Sequence, residues 1–142
     1  MPNITVLKQE IAYDEADIIT FPEGLVGLPR LRRMVLVRRP DLEPFLWLAS
    51  LDDPSVAFVV VNPRAIFAGY QTSEEMRQLA ALPCHEEPVL LAVVLVSEEW
   101  AQSSVNLRAP LVISPRTMTG RQIILSGGAH RLDEPLKVAC AA

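Results

Sequence analysis

The chain has 142 residues, half of them apolar and 21% charged, and its 17 acidic against 13 basic residues leave a net charge of −4. So apolar a chain is not intrinsically disordered, its length fits one domain over residues 1–142, and its acidity argues against a broad nucleic-acid surface, which needs clustered positive charge. The longest apolar run, Val89 to Val96, falls well short of the roughly 20 residues of a membrane span. Met1 to Glu10 is mixed and polar, without the pattern of a signal peptide, so a soluble, intracellular protein is expected.

Short apolar runs separated by turn residues follow in chain order. Ile4–Val6 and Ile18–Phe21 read as strands, and Pro22-Glu23-Gly24 breaks the chain. Met34–Val37 comes next, flanked by Arg32-Arg33 and Arg38-Arg39, with Pro40 and Pro44 fencing the turn after it. In the following strand Phe45, Trp47, Ala49 and Leu51 share one face, which assigns Trp47 to the core. Asp52-Asp53-Pro54-Ser55 is a tight turn, because proline presets a type I backbone and aspartate caps it. Val56–Val61 returns as the second strand of a central hairpin.

Thr72 and Glu75 have the spacing of a capping box, Met76, Leu79 and Ala80 follow at helical spacing, and Pro83 is a stop. One short α-helix is expected at about Ser73–Leu82. Pro88–Val96 reads as a strand buried on both faces. Ala109–Ser114 and Gln122–Leu125 complete the set, with Thr119-Gly120-Arg121 as the turn between them. The small apolar tail from Val138 to Ala142 either pairs as a last strand or frays. Twelve prolines against six glycines fit many short elements joined by stiff turns. The expectation is a mainly β, single antiparallel barrel or sandwich-like domain of about seven to nine strands.

Catalytic chemistry is hard to find. Cys84-His85-Glu86-Glu87 offers ligand-type atoms, but neighbouring residues rarely converge on one metal, and His130 alone is a poor complement. Cys84 lacks the helix start or anion nest that would activate its thiol, and Cys84 with Cys140 makes no disulfide scaffold. Gly24-Leu25-Val26-Gly27 and Ser126-Gly127-Gly128 lack the context of a phosphate loop, and lysine is confined to Lys8 and Lys137. The arginines from Arg30 to Arg39 read as solvated turns that guard a strand edge, or as a patch for an anion or an acidic partner. The acidic pairs Asp52-Asp53, Glu86-Glu87 and Glu98-Glu99 read as outward strand ends, or as a surface that steers a basic protein. Trp100 reads as a contact anchor or a capping hydrophobe. No catalytic, metal or cofactor residue is assigned, and the residues alone describe a β domain suited to binding.

Three segments carry more. They are Ile19-Thr20-Phe21-Pro22-Glu23-Gly24-Leu25-Val26-Gly27-Leu28, the stretch from Pro44 through Trp47, Asp52, Asp53 and Phe58 to Asn62-Pro63, and Ser104-Val105-Asn106-Leu107-Arg108-Ala109-Pro110 followed by Gly120-Arg121-Gln122. Their order and spacing resemble the FliW family of flagellar assembly factors, as does the ending Arg131 to Leu136. Val26, Leu28 and Gly69, the last beside Tyr70, depart from the family's usual residues. Within the shared motifs, Gly24 and Gly27 supply backbone angles that other residues resist. Asn106 bonds local backbone so that the chain bends before Pro110, and Trp47 and Phe58 pack across the hairpin.

The resemblance implies a cytoplasmic bacterial protein that binds flagellin and antagonises the RNA-binding translational regulator CsrA, relieving repression of flagellin synthesis, with no direct nucleic-acid or membrane contact. The candidate partner-binding residues are Asp52, Asp53, Glu98, Glu99 and Trp100. The family-motif residues are Phe21, Gly24, Gly27, Trp47, Phe58, Pro63, Tyr70, Asn106, Leu107, Pro110 and Gly120. The alternatives are a small β-barrel that binds a flavin or nucleotide between its strands, and a structural subunit in which Pro88–Val96 forms an oligomer interface.

Overall fold

The computed structural model describes residues 3–6, 9–83, 86–126 and 130–136; the Cys84-His85 turn, the Gly127-Gly128 loop tip and the Val138–Ala142 tail lie outside them. The short apolar runs form strands β1 (Asn3–Val6), β2 (Gln9–Ala12), β3 (Ile19–Thr20), β4 (Arg33–Arg38), β5 (Phe45–Ser50) and β6 (Ala57–Val61). After two short helices, α1 (Pro63–Ile66) and α2 (Glu74–Leu79), come β7 (Val89–Leu95), β8 (Ser104–Val105), β9 (Leu111–Ser114), β10 (Thr119–Gln122) and β11 (Glu134–Pro135).

Strands β7-β6-β5-β4-β3-β10-β9 pair in that order, and β9 pairs back onto β7, so the sheet closes into a seven-stranded barrel. Closure removes the exposed edges that an open sheet would leave. Strands β8 and β11 branch from the end of β7, and β1–β2 form a separate antiparallel hairpin. The expected antiparallel pairing holds around the barrel except at one seam, where β10 runs parallel to β3 through Thr119 and Thr20.

Because side chains alternate along a strand, closure sends every second one inward. Met34, Leu48, Val60, Leu91, Leu111 and Ile113 meet there with Ile19, Phe21 and Leu25. The intervening residues face out, and two satellite clusters cover them. Val61, Leu90, Ala92, Val94 and Val112 lie under Tyr70, Met76, Leu107, Ile123 and Leu136. On the other side Val35, Val37 and Ala49 are packed by Tyr13, Ile18, Trp47 and Leu51. Strand β7 therefore reads as an unbroken apolar run because both faces are buried. Leu90, Leu91, Ala92 and Val94 are enclosed within this chain, while Val89, Leu95 and Val96 at the ends of the run stay exposed.

Several local expectations change. Among the described residues there are two α-helices instead of one. Asn62 caps α1 by accepting from Arg64 N at 3.0 Å, with Pro63 in the first helical turn, a start signal whose single turn is too short to show periodicity. Helix α2 is capped by Ser73, whose hydroxyl accepts from Met76 N at 3.2 Å, and not by Thr72. Thr72 accepts instead from Arg64, and Glu75 reaches across to Ser126 N at 3.0 Å. The helix ends at Leu79, earlier than the expected Leu82, because Ala81 turns left-handed at φ 53°.

Trp47 and Phe58 do not pack across the hairpin: Trp47 faces out opposite Val59, while Phe58 faces in opposite Leu48. Trp47 is accordingly half-buried on the outer wall and not in the central core. The turn expected at Thr119-Gly120-Arg121 lies earlier, at residues 115–118, where Met118 takes φ 54° and its N–H bonds Ser114 O at 2.8 Å. Gly120 is a buried strand residue.

Candidate functional site

The family-motif residues divide into fold-holding positions. Gly24 and Gly27 have φ 71° and 78°, and the tight loop between them is closed by mutual Leu25–Leu28 backbone bonds of 3.1 and 2.8 Å. Gln122 Oε1 accepts from Val26 N at 2.9 Å and ties this loop to β10. Opposite, the ring of Phe21 lies over Gly120, where a Cβ would sit 2.6 Å from Phe21 Cε1. Asn106 Oδ1 accepts from Arg108 N at 3.1 Å and Ala109 N at 2.9 Å, the local turn expected of it. Pro110 is buried, and its carbonyl takes Ile123 N at 3.1 Å.

Tyr70 is 2% exposed, and its hydroxyl donates to the Leu107 carbonyl at 2.8 Å. Burial pushes its phenol up to about 12 from an ordinary 10.0. Unfolding would let it ionise near 10, so its contribution is intact below that pH and is lost as the pH climbs from 10.0 toward about 12. A two-unit shift is about 2–3 kcal/mol. Tyr70→Phe should cost about 0.5–1.5 kcal/mol at pH 8 by removing the hydrogen bond. It should also flatten this alkaline loss, which urea unfolding on either side of the window would measure.

Asp52 and Asp53 lie at the far end of β5, where Ser50 Oγ accepts from Asp52 N at 3.1 Å and Asp53 N at 2.9 Å. Asp52 does not point idly into water: it accepts from Arg32 N and Arg33 N, each at 2.8 Å, and from the Arg33 guanidinium. Partial burial pushes its carboxyl up, but the backbone N–H groups of Arg33 and Arg32 and the Arg33 side chain together outweigh that and hold it below 3.8. Asp53 accepts from Ser55 Oγ at 2.6 Å and pairs with Arg30 at 3.3 Å, capping the turn as expected.

Arg30 and Arg33 are therefore not guards of a strand edge. Strand β4 lies between β3 and β5, and Arg30 and Arg33 fasten the β5–β6 turn. Asp52→Ala should cost about 1–3 kcal/mol at pH 7, toward the lower end because the group is partly solvated. The depressed pKa means that this stabilisation is present above 3.8 and is lost as the pH falls below it, so denaturation curves of variant and wild type should converge in acid.

Glu98, Glu99 and Trp100 sit at the opposite end. Trp100 stands edge-on to Phe45, the first residue of β5, with ring centroids 5.1 Å apart at 89°. Strand β5 spans roughly 20 Å, so the acidic residues grouped by sequence form two separate places. Beside Trp100 lies a cleft of about 240 Å³ lined by Leu42, Phe45, Leu46, Trp47, Val59, Val96 and Trp100. A large fraction of Trp100, 47%, and of Val96, 53%, remains exposed. Residues 42–59 and 96–100 meet only through the β5–β6–β7 pairing, so no local motif announces the cleft.

A second cleft, about 270 Å³, lies between Ala80–Pro83 and β9–β10. Both are smaller than the roughly 300–1,000 Å³ of cavities that enclose drug-sized ligands. Near the second cleft, Glu86 turns inward and accepts from the Ser114 hydroxyl, while Glu87 stays outside and pairs with Arg64 and Arg77. This splits an acidic pair expected to face water together. Among the described residues, no group of three or more His, Cys, Asp or Glu converges as a metal site, and no helix is long and apolar enough to cross a membrane. Cys84 and His85 lie outside that description.

The class is thus a small closed β-barrel, with its packed core inside and an apolar cleft on its outer wall. The FliW family profile matches residues 4–136, and the chain belongs to the FliW family of flagellar assembly factors. It is 36% identical over 137 residues to the flagellar assembly factor FliW of Geobacter sulfurreducens, covering 94% of this chain and 85% of that one. It is 37% identical over 118 residues to that of Carboxydothermus hydrogenoformans, covering 82% and 77%. With Clostridium beijerinckii FliW it shares 30% over 138 residues, covering 96% and 98%. Its fold matches a crystal structure of the flagellar assembly factor FliW with a TM-score of 0.81 at 24% identity, over 95% of this chain and 96% of that one.

Proposed function

We propose that this chain works in the bacterial cytoplasm by protein–protein binding. It binds flagellin, and it binds a CsrA-type RNA-binding regulator and keeps it off the flagellin message. Newly made flagellin then reclaims the chain and frees the regulator to repress. The reading assigns no catalytic residue, no cofactor and no direct contact with nucleic acid or membrane.

Family membership over residues 4–136 supports this reading. The structural observation that carries it is the exposed apolar cleft at Trp100, beside the acidic pair Glu98-Glu99. A net charge of −4 favours encounter with a basic RNA-binding protein. The test is co-purification with flagellin and, separately, with the regulator from the same genome, followed by competition. Binding of both, with flagellin displacing the regulator, is the expected result. Binding of flagellin alone removes the regulatory half, and binding of neither overturns the reading.

A further inference from the structure

The outer wall of the barrel is covered on two sides and bare between them. Val61, Val94 and Val105 lie under one satellite cluster, and Val35, Val37 and Ala49 lie under the other. Trp47 and Val59, directly opposite each other on β5 and β6, stand at the gap. The gap is the cleft of about 240 Å³, closed at one side by Trp100. Its lining is almost wholly apolar, so it offers little hydrogen-bonding surface with which to orient a nucleotide or flavin. Its size suits a few bulky apolar side chains presented by another protein.

The rim indicates which protein. Glu43, next to Leu42, and Glu98 and Glu99, next to Trp100, are all exposed, and no ion pair holds them among the described residues. Asp41 adds a fourth carboxylate and is paired with Arg39 at 3.6 Å. Among the described residues, Arg38, opposite Leu46 at the end of β4, is the other cation at this end of the wall. The rim is therefore net negative. A second copy of this chain seated on it would bring like charges together, which disfavours self-association.

We propose that this cleft docks a segment of a basic partner that inserts bulky apolar side chains and lays flanking lysines or arginines on Glu43, Glu98 and Glu99. The inference rests on the partner-binding reading above and assigns the cleft to the RNA-binding regulator, because a surface built to neutralise phosphates is the positively charged one. Asp52 and Asp53, held by the arginines at the other end of β5, lie outside it.

Both of the chain's tryptophans line the cleft, so tryptophan fluorescence reports on it directly. The experiment titrates the full chain with the purified regulator from the same genome, and separately with flagellin, following fluorescence and heat. Wild type should shift to the blue on binding the regulator. Trp100→Ala should weaken that binding about tenfold or more, as expected for a central aromatic anchor. Leu42→Ser, a second variant at the cleft, should weaken it in the same direction.

Glu98→Lys combined with Glu99→Lys should weaken binding and flatten its salt dependence. Val26→Ser is the control, an apolar residue 53% exposed on the loop beside β10. Thermal melting of each variant separates lost binding from lost folding. Unchanged affinity in folded Trp100→Ala and Leu42→Ser overturns the proposal while leaving the partner reading intact. It is equally overturned if these variants lose flagellin alone, or if light scattering shows a wild-type dimer that Trp100→Ala dissociates. Failure of wild type to bind either protein removes the partner reading itself, and this inference with it.

Discussion

Phe21→Ala is expected to lower the unfolding free energy by about 3–5 kcal/mol, the range for deleting a buried aromatic side chain. Phe21 is fully buried, and it lies inside the barrel among residues from β3, β4, β5, β6, β7 and β9. Its backbone also fastens the chain there, with its N–H on Arg32 O at 2.6 Å and its carbonyl taking Gly24 N at 2.9 Å. The ring passes over Gly120, the one strand residue beside it without a Cβ, so collapse around the hole is limited by backbone on that side. Domains of this size are stable by only about 5–15 kcal/mol, which makes this loss a large share. Chemical denaturation at pH 7 measures it; a loss below about 1.5 kcal/mol would contradict the packing described.

Gly24→Ala is the second large effect, expected at about 2–4 kcal/mol from a left-handed backbone and an overpacked contact together. A Cβ at Gly24 would lie 2.4 Å from the Pro29 carbonyl oxygen and 2.5 Å from Pro29 Cα, backbone atoms that cannot swing aside. Gly27 separates the two causes. Its φ is 78°, but a Cβ there meets nothing within 4 Å. Gly27→Ala should therefore cost only the conformational part, about 1–2 kcal/mol, and Gly27→Asn less, since asparagine tolerates this region. Equal losses at both positions would show that the contact with Pro29 is not what makes Gly24 costly. The measurement is a paired set of urea melts.

Local chemistry was the most legible in the sequence. The Asp53–Ser55 turn, the Asn106 turn and the left-handed glycines at 24 and 27 each depend on residues within a few positions of one another, so residue type and spacing suffice. The apolar runs likewise announced a mainly β chain. Residue type puts the helix cap one residue early because Thr72 and Ser73 are chemically equivalent candidates, and only contacts from outside the helix, with Arg64 and Ser126, decide which competing bonds form. The turn expected at Gly120 lies elsewhere for a related reason. Glycine usually marks a turn, but here Met118 takes the left-handed position, and the missing Cβ of Gly120 makes room for Phe21.

By itself, then, the sequence determined the β class, the turns at Asp53–Ser55 and Asn106 and, through its motifs, the family. All of these rest on short-range residue chemistry or on motif order. Tertiary structure alone decided that Trp47 faces outward and Phe58 inward, that Asp52 belongs to arginines about 20 residues away, and that Trp100 meets Trp47, Phe45 and Val59 in one cleft. The physical reason is that a strand apolar on both faces has no visible period of two to name its inner face. Only closing the sheet turns one face in, leaves the other to the satellite clusters, and exposes the strip they do not cover.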